Sequence, residues 1–199
     1  MEKYIENLVY HLSDYRDGQR FILGIDGLSR AGKTSFTNRM KQLLGEKNVS
    51  MHTFHIDDFI VDKAKRYRTG HKEWIEYYNL QWDVEWLTEH FFTKLKENDV
   101  LNLPFYNHST DKQIWQMTNI ASANLIIIEG IFLQRPEWRK LLDFVIYLDS
   151  SRETRFGREN ENTQKNIHKF KTRYWKAEDY YLHTVNPLMQ ADLVIKNES

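Results

Sequence analysis

Eight consecutive residues constrain this chain more than any other stretch. Gly27-Leu28-Ser29-Arg30-Ala31-Gly32-Lys33-Thr34 spells G-x-x-x-x-G-K-[ST], a phosphate-binding loop. The two glycines let the backbone turn tightly enough to aim its N–H groups at a polyphosphate. Lys33 can reach the outer phosphates and the Thr34 hydroxyl can ligate Mg²⁺. The context fits. Residues 21–26 read as a buried strand, and residues 35–44 as an amphipathic helix that Gly45 would stop. That helix starts at the phosphates, so its positive dipole end adds to the anion site. Gly27, Ser29, Arg30, Ala31, Gly32, Lys33, Thr34 and Ser35 are therefore the candidate nucleotide contacts.

The remaining pattern alternates helix and strand. Ile5, Leu8, Val9 and Leu12 fall at helical spacing over residues 2–16, closed by Asp17-Gly18. A second strand is expected at about 50–56, running into Asp57-Asp58-Phe59. Residues 60–82 are polar, basic and aromatic without a clean period. Residues 84–95 return to helix, and 101–118 read as irregular, broken by Pro104 and Asn107. Residues 125–130 and 141–149 are apolar on both faces, as strands covered by helices on both sides are. A helix is expected over 151–160 with Ser150 or Ser151 as its N-cap, then a polar, basic segment over 160–172, a helix to about Val185, and a closing strand at 191–195. This order implies a parallel α/β sheet with right-handed crossovers.

Composition narrows the function classes. The 199 residues carry 28 basic and 28 acidic side chains, so net charge gives no nucleic-acid or membrane partner. With no cysteine, disulfides, thiol catalysis and zinc–thiolate sites are excluded. The first residues are charged and no apolar run approaches a membrane span, so a soluble cytoplasmic protein is expected, with a homo-oligomer left open.

In open α/β sheets, ligands gather at the carboxyl ends of the strands. Asp26, Asp57, Asp58, Glu129 and Asp149 lie there. Glu129 follows four apolar residues and is placed to serve Mg²⁺ with Thr34. A kinase acting on a hydroxyl needs a carboxylate to orient that hydroxyl and take its proton. Neighbouring strand residues point opposite ways, so one of Asp57 and Asp58 can face the phosphates, and Asp57 is preferred. Arg152, Arg155 and Arg158 recur every three residues. With Lys165, Lys169, Lys171 and Arg173 they read as a lid, from which Arg155 and Arg158 would stabilise the transferring group. His52 and His55 fall on opposite faces of one strand and do not suggest a shared metal. The many rings between 67 and 92 suit either a pocket wall or core packing.

The ordered motifs resemble the uridine kinase/phosphoribulokinase-like family of P-loop small-molecule kinases. The loop itself, Ile56-Asp57-Asp58-Phe59, Pro104-Phe105-Tyr106, Ile128-Glu129-Gly130-Ile131, Thr154-Arg155-x-x-Arg158 and Ala191-Asp192-Leu193-Val194-Ile195 are similar to successive elements of that family. The resemblance implies a P-loop NTPase fold: one α/β domain over 1–199 with a five-stranded, mostly parallel sheet, helices on both faces, a substrate-binding insert at about 60–118 and a small helical lid at about 152–173. It also implies an ATP- and Mg²⁺-dependent kinase, with Asp57 as base and Lys33, Arg155 and Arg158 on the phosphoryl group. Asp57, Asp83, Tyr106 and His108 would hold the small-molecule acceptor, a nucleoside such as uridine or cytidine. Pantothenate, nicotinamide riboside or a sugar are the alternative acceptors. A nucleotide-binding module without catalysis is the alternative outside enzymes. A guanine-reading N/T-K-x-D segment is missing, which favours ATP over GTP. The chain departs from uridine kinases at Leu80-Gln81-Trp82-Asp83-Val84-Glu85-Trp86, which stands where they carry F-D-H-P-x-A-F, and His108 lies out of register after the P-x-Y element.

Overall fold

The computed structural model describes residues 2–13 and 20–198. Its strands are β1 (Phe21–Asp26), β2 (Met51–His55), β3 (Val100–Asn107), β4 (Lys112–Asn119), β5 (Leu125–Glu129), β6 (Phe144–Asp149) and β7 (Leu193–Lys196). Five of them form one sheet in the order β2-β5-β1-β6-β7, and every pairing in it is parallel. The expected α/β architecture is therefore present.

Period-two alternation along the strands feeds two separate cores. Leu23, Ile25, Leu125, Ile127, Ile146 and Leu148 face a layer made by helices Glu2–Ser13 and Lys33–Glu46, where Ile5, Val9, Phe36, Met40 and Leu44 are buried. Ile22, Ile126, Ile128, Val145 and Tyr147 face the opposite layer, built from the 60–118 region and helix Trp175–Thr184. Both faces of β1, β5 and β6 are thus apolar, which is why each reads as an unbroken hydrophobic run.

The second core settles the role of most of the aromatic residues. Tyr78, Trp82, Phe91 and Phe92 are buried and pack on one another and on Phe132 and Trp138, with the Phe92 and Trp138 rings stacked at 4.8 Å. They are packing residues.

Several boundaries differ from the sequence reading. Residues 101–118 are not irregular: β3 and β4 pair antiparallel from Val100↔Asn119 to Asn107↔Lys112. Pro104 is tolerated because this ribbon has only two strands, so an N–H facing away from the partner would bond nothing in the sheet. Asn107 does not break the strand but starts the turn, its side chain accepting from the N–H groups of Ser109 and Thr110 at 2.9 and 3.1 Å. Gly45 lies inside the last turn of its helix rather than stopping it, and Lys47 is the C-cap. The helix expected over 84–95 ends at His90 and continues as a 3₁₀ turn, Phe92–Lys94. Ser151 is confirmed as an N-cap, accepting from Thr154 N–H, though its helix covers only Arg152–Gly157. The basic segment that follows is a chain of short helices, Glu161–Gln164 and Ile167–Lys169, then a π-helical turn, Phe170–Tyr174. The Asp17-Gly18 stop and the Leu12 side chain lie outside the described residues. Among the described residues no helix is long and apolar enough to cross a membrane.

Candidate active site

The carboxyl ends of β1, β2 and β5 converge on the phosphate loop. Gly32 takes a left-handed φ of 92° just before the helix, and a side chain there would collide with the Asn197 carboxamide. Only glycine fits. The helix that follows starts without any side-chain cap on its first N–H groups, which leaves that end open to an anion.

Lys33 Nζ donates to the Leu28 carbonyl at 3.1 Å, folding back over its own loop. Thr34 Oγ1 donates to Glu129 at 3.2 Å. His55, at the end of β2, places Nδ1 2.7 Å from Glu129 Oε2, the same oxygen that accepts from Thr34 at 3.2 Å. The carboxylate accepts, so Nδ1 carries the proton. Burial works to raise the Glu129 carboxyl, but the His55 hydrogen bond, the Lys33 charge and the Thr34 hydroxyl outweigh it and hold it below the usual range. Glu129 is therefore a ready anion beside Thr34. Among the described residues no group of three or more His, Asp and Glu side chains could hold a metal alone. A Mg²⁺ bound with a nucleotide needs none, because phosphates and water supply most of its ligands.

Asp57 and Asp58 sit in a 3₁₀ turn, Ile56–Phe59, beyond the end of β2. The strand alternation expected to separate them does not operate there. Their surroundings do. Asp57 keeps open surface yet sits deep among Lys33, Glu129 and Tyr77, and lost hydration raises its pKa despite the Lys33 charge. Lys33 is lowered by the same loss of hydration, against the pull of Glu129 and Asp57. Asp58 lies within electrostatic reach of His55, Glu129 and His108, and Lys33 acts on Asp57 instead. Gly130 follows Glu129 because a Cβ there would run into Ile56 just before Asp57, so the h-E-G element and the acidic turn can lie against each other.

The phosphoribulokinase/uridine kinase family model matches residues 22–198. The chain belongs to that family. A solved structure from Bacillus stearothermophilus, described as a possible uridine kinase, is 48% identical, with a TM-score of 0.86 over 98% of this chain and 100% of that one. A curated uridine kinase of Borrelia duttonii is 28% identical over 70% of this chain, and the match spans 66% of that protein's length. D-glycerate 3-kinase from Cryptococcus neoformans shares the fold alone, with 10% identity and a TM-score of 0.55 over 92% of this chain and 84% of that one.

The family's arginine pair occupies an unexpected place. Arg155 and Arg158 were expected on the transferring phosphoryl group; the structure puts both behind the loop. Arg155 is buried, and its donors go to Ser150 C=O at 3.1 Å, Ser29 C=O at 3.0 Å and both oxygens of Glu178 at 2.9 and 3.0 Å. Arg158 donates to Arg30 C=O at 2.7 Å and to Asn197 C=O at 3.0 Å. Asn197 in turn donates to Ala31 C=O at 2.8 Å. Three successive loop carbonyls, of Ser29, Arg30 and Ala31, are thus pulled outward. In a trans peptide the next N–H points the opposite way, so this turns the amides of Arg30, Ala31 and Gly32 away from those side chains. The Arg30 side chain itself pairs with Glu159 at 3.0 Å, and Ser35 is exposed on the first helical turn.

The acceptor-side candidates are scattered over local tasks. Tyr106 is buried; its hydroxyl donates to Asp111 at 2.7 Å and accepts from Arg66 at 3.2 Å. His108 packs its ring edge-on to Tyr106 at 4.8 Å. Asp83 caps helix Val84–His90, accepting from Trp86 N–H at 3.0 Å. Glu178, Asn197 and His55 were missed as site residues. Glu178 and Asn197 lie 149 and 166 positions from the loop residues they hold, and no local pattern marks them.

Proposed function

We propose that this protein is an ATP- and Mg²⁺-dependent kinase that transfers the γ-phosphoryl group to a hydroxyl of a small molecule, with a nucleoside such as uridine or cytidine as acceptor. One observation carries the reading: an acid in the turn after β2, Asp57, lies within electrostatic reach of Lys33 and of the Thr34–Glu129 pair. Family membership and the names of the relatives support the nucleoside acceptor. Thr34 and Glu129 would hold Mg²⁺, which neutralises charge on the phosphates.

The protein's own groups do the rest. The loop amides and the helix start bind the phosphates. Lys33 exchanges the Leu28 carbonyl for phosphate oxygens. Asp57 orients the acceptor hydroxyl and takes its proton as the new O–P bond forms and the bond to the departing diphosphate breaks. A base whose pKa is lifted toward working pH accepts that proton more readily.

An ATP-consumption screen across nucleosides, pantothenate, nicotinamide riboside and sugars identifies the acceptor. With that acceptor, Asp57→Asn should retain ATP binding and lose about 10²- to 10⁴-fold in kcat. ATP binding without turnover on any acceptor would replace the kinase by a nucleotide-binding module.

A further inference from the structure

The ribbon of β3 and β4 ends in an open edge. It has two strands, so β4 has a partner on one side alone. Beyond its end the Ile120 N–H donates to the Asp99 carbonyl at 2.8 Å, continuing the register in which Val100 faces Asn119. Antiparallel pairs alternate between those that exchange hydrogen bonds and those that do not. Leu101↔Thr118, Leu103↔Gln116 and Phe105↔Ile114 therefore bond across the ribbon. The pairs between them, Asn102↔Met117, Pro104↔Trp115 and Tyr106↔Gln113, turn their main-chain groups away from each other. Pro104, which has no N–H to give, falls in this second set. The N–H and C=O groups of Gln113, Trp115 and Met117 accordingly point out along the free side of β4. Among the described residues no other main chain meets them.

Edges of this kind are usually blunted by a charge, a proline or a bulge. From Gln113 to Asn119 β4 has no charge and no proline, and its register runs without interruption. The edge is also apolar. Ile114, Trp115 and Met117 are 44%, 55% and 70% exposed. The Trp115 ring is held by an edge-on contact with Trp86 at 5.3 Å, so the patch is preformed.

We infer that β4 pairs antiparallel with the β4 of a second copy of this chain, joining two ribbons into one four-stranded sheet about a two-fold axis. Symmetry restricts the register. A residue and its twin stand on the same face, and residues that oppose each other must share a face, so the axis passes through a residue position. Centring it on Gln116 sets Trp115 opposite Met117 of the second copy, and Met117 opposite the second copy's Trp115. Outward main-chain groups then meet outward groups, and each exposed ring takes an exposed thioether. Ile114 opposes Thr118, a pair of β-branched residues. The two Lys112 side chains lie at opposite ends, so no like charges face each other. Centring on Trp115 would instead set Met117 against Gln113, whose carboxamide is already committed to the Phe59 and Ile60 carbonyls at 3.3 and 3.2 Å. An uncharged edge that matches itself in this way fits a second copy of the same strand. The inference stands apart from the proposed transfer reaction, since none of these residues belongs to the catalytic set.

The test is sedimentation velocity of the full chain over a concentration series. A reversible monomer–dimer equilibrium is expected. Gln116→Lys and Gln116→Glu each place two like charges face to face on the axis, and each should weaken the dimer about fivefold or more while keeping the thermal unfolding midpoint. An equimolar mixture of the two variants should dimerise again, because lysine then faces glutamate. That restoration is specific to an axis at Gln116. Should either variant fail to fold, Met117→Pro, which removes an outward N–H and leaves the bonds to β3 in place, carries the same comparison. A monomer at every concentration overturns the inference and leaves the edge to an extended peptide of another protein. A dimer indifferent to Gln116→Lys overturns it by placing the contact elsewhere.

Discussion

Two buried arginine–glutamate pairs brace opposite halves of this molecule, and they are built differently. On the nucleotide side Arg155 meets Glu178 through both oxygens, with side chains 5% and 1% exposed. Glu178 has one further donor, the Ser29 N–H at 3.3 Å. On the acceptor side Arg173 meets Glu76 at 3.0 Å, with side chains 1% and 4% exposed, and Glu76 has two more donors from Thr69. A buried pair is weak evidence for stability, because desolvation offsets its attraction. The difference lies in what each pair positions. Arg155 and Glu178 grip the C=O and N–H of Ser29, so they set the shape of a loop. Arg173 also donates to the carbonyls of Glu73 and Arg66, so with Glu76 it ties the lid to the insert.

The largest effect should come from breaking the first pair. Glu178→Ala leaves the Arg155 guanidinium buried without its counter-ion, and should cost about 3–5 kcal/mol in urea unfolding. The sharper comparison is Arg155→Met/Glu178→Leu. Replacing both charges by apolar groups should restore most of the stability. It should not restore affinity for an ATP analogue, because the Ser29 peptide stays unclamped. Full recovery of nucleotide affinity in the double variant would reduce the pair to packing.

Breaking the second pair should do less. Arg173→Met leaves Glu76 without its counter-ion but still accepting from both Thr69 donors, so the loss should fall below that of Glu178→Ala, at about 1.5–3 kcal/mol. Nucleotide affinity should stay within twofold of the parent protein, since no loop residue touches Arg173. A drop in nucleotide affinity equal to that of Glu178→Ala would erase the division between the halves.

That division also explains what could be read from the sequence. The nucleotide half was legible because its chemistry is carried by backbone: glycines at fixed spacing, and strands that are apolar on both faces and so read as continuous runs. Lys33 and Thr34 followed from the loop motif, Asp57 and Glu129 from their places at strand ends, and the structure gathers them. Arg155 and Arg158 were found as a spacing but placed wrongly, because the spacing does not show that Ser29 and Arg30 carbonyls lie behind them. The acceptor half is held by contacts across long sequence separations, such as Arg173 with Glu76 and Arg135 stacked 4.7 Å from the rings of both Tyr78 and Trp138. Such contacts leave no period. Its hairpin was hidden because Pro104 and Asn107 signal breaks, whereas in a two-stranded ribbon one is harmless and the other shapes the turn.

The smallest effect concerns the start of a helix in each half. The helix at Lys33 begins at Gly32 without a side-chain cap, and its open N–H groups are the proposed anion site. The helix at Val84 begins with Asp83 already accepting from Trp86 N–H. The cap occupies one of the two Asp83 carboxylate oxygens, and we propose that Asp83 serves by holding this helix rather than by grasping a sugar. Asp83→Ala should therefore lose about 1 kcal/mol of stability, and Asp83→Ser, which keeps a capping oxygen, should recover nearly all of it. The acceptor KM separates the two roles, since serine restores the cap but not a carboxylate. The expected result is an unchanged KM in Asp83→Ser. A KM raised tenfold in that stable variant would give Asp83 the substrate contact that its resemblance to uridine kinases implies, and would make both helix starts binding elements.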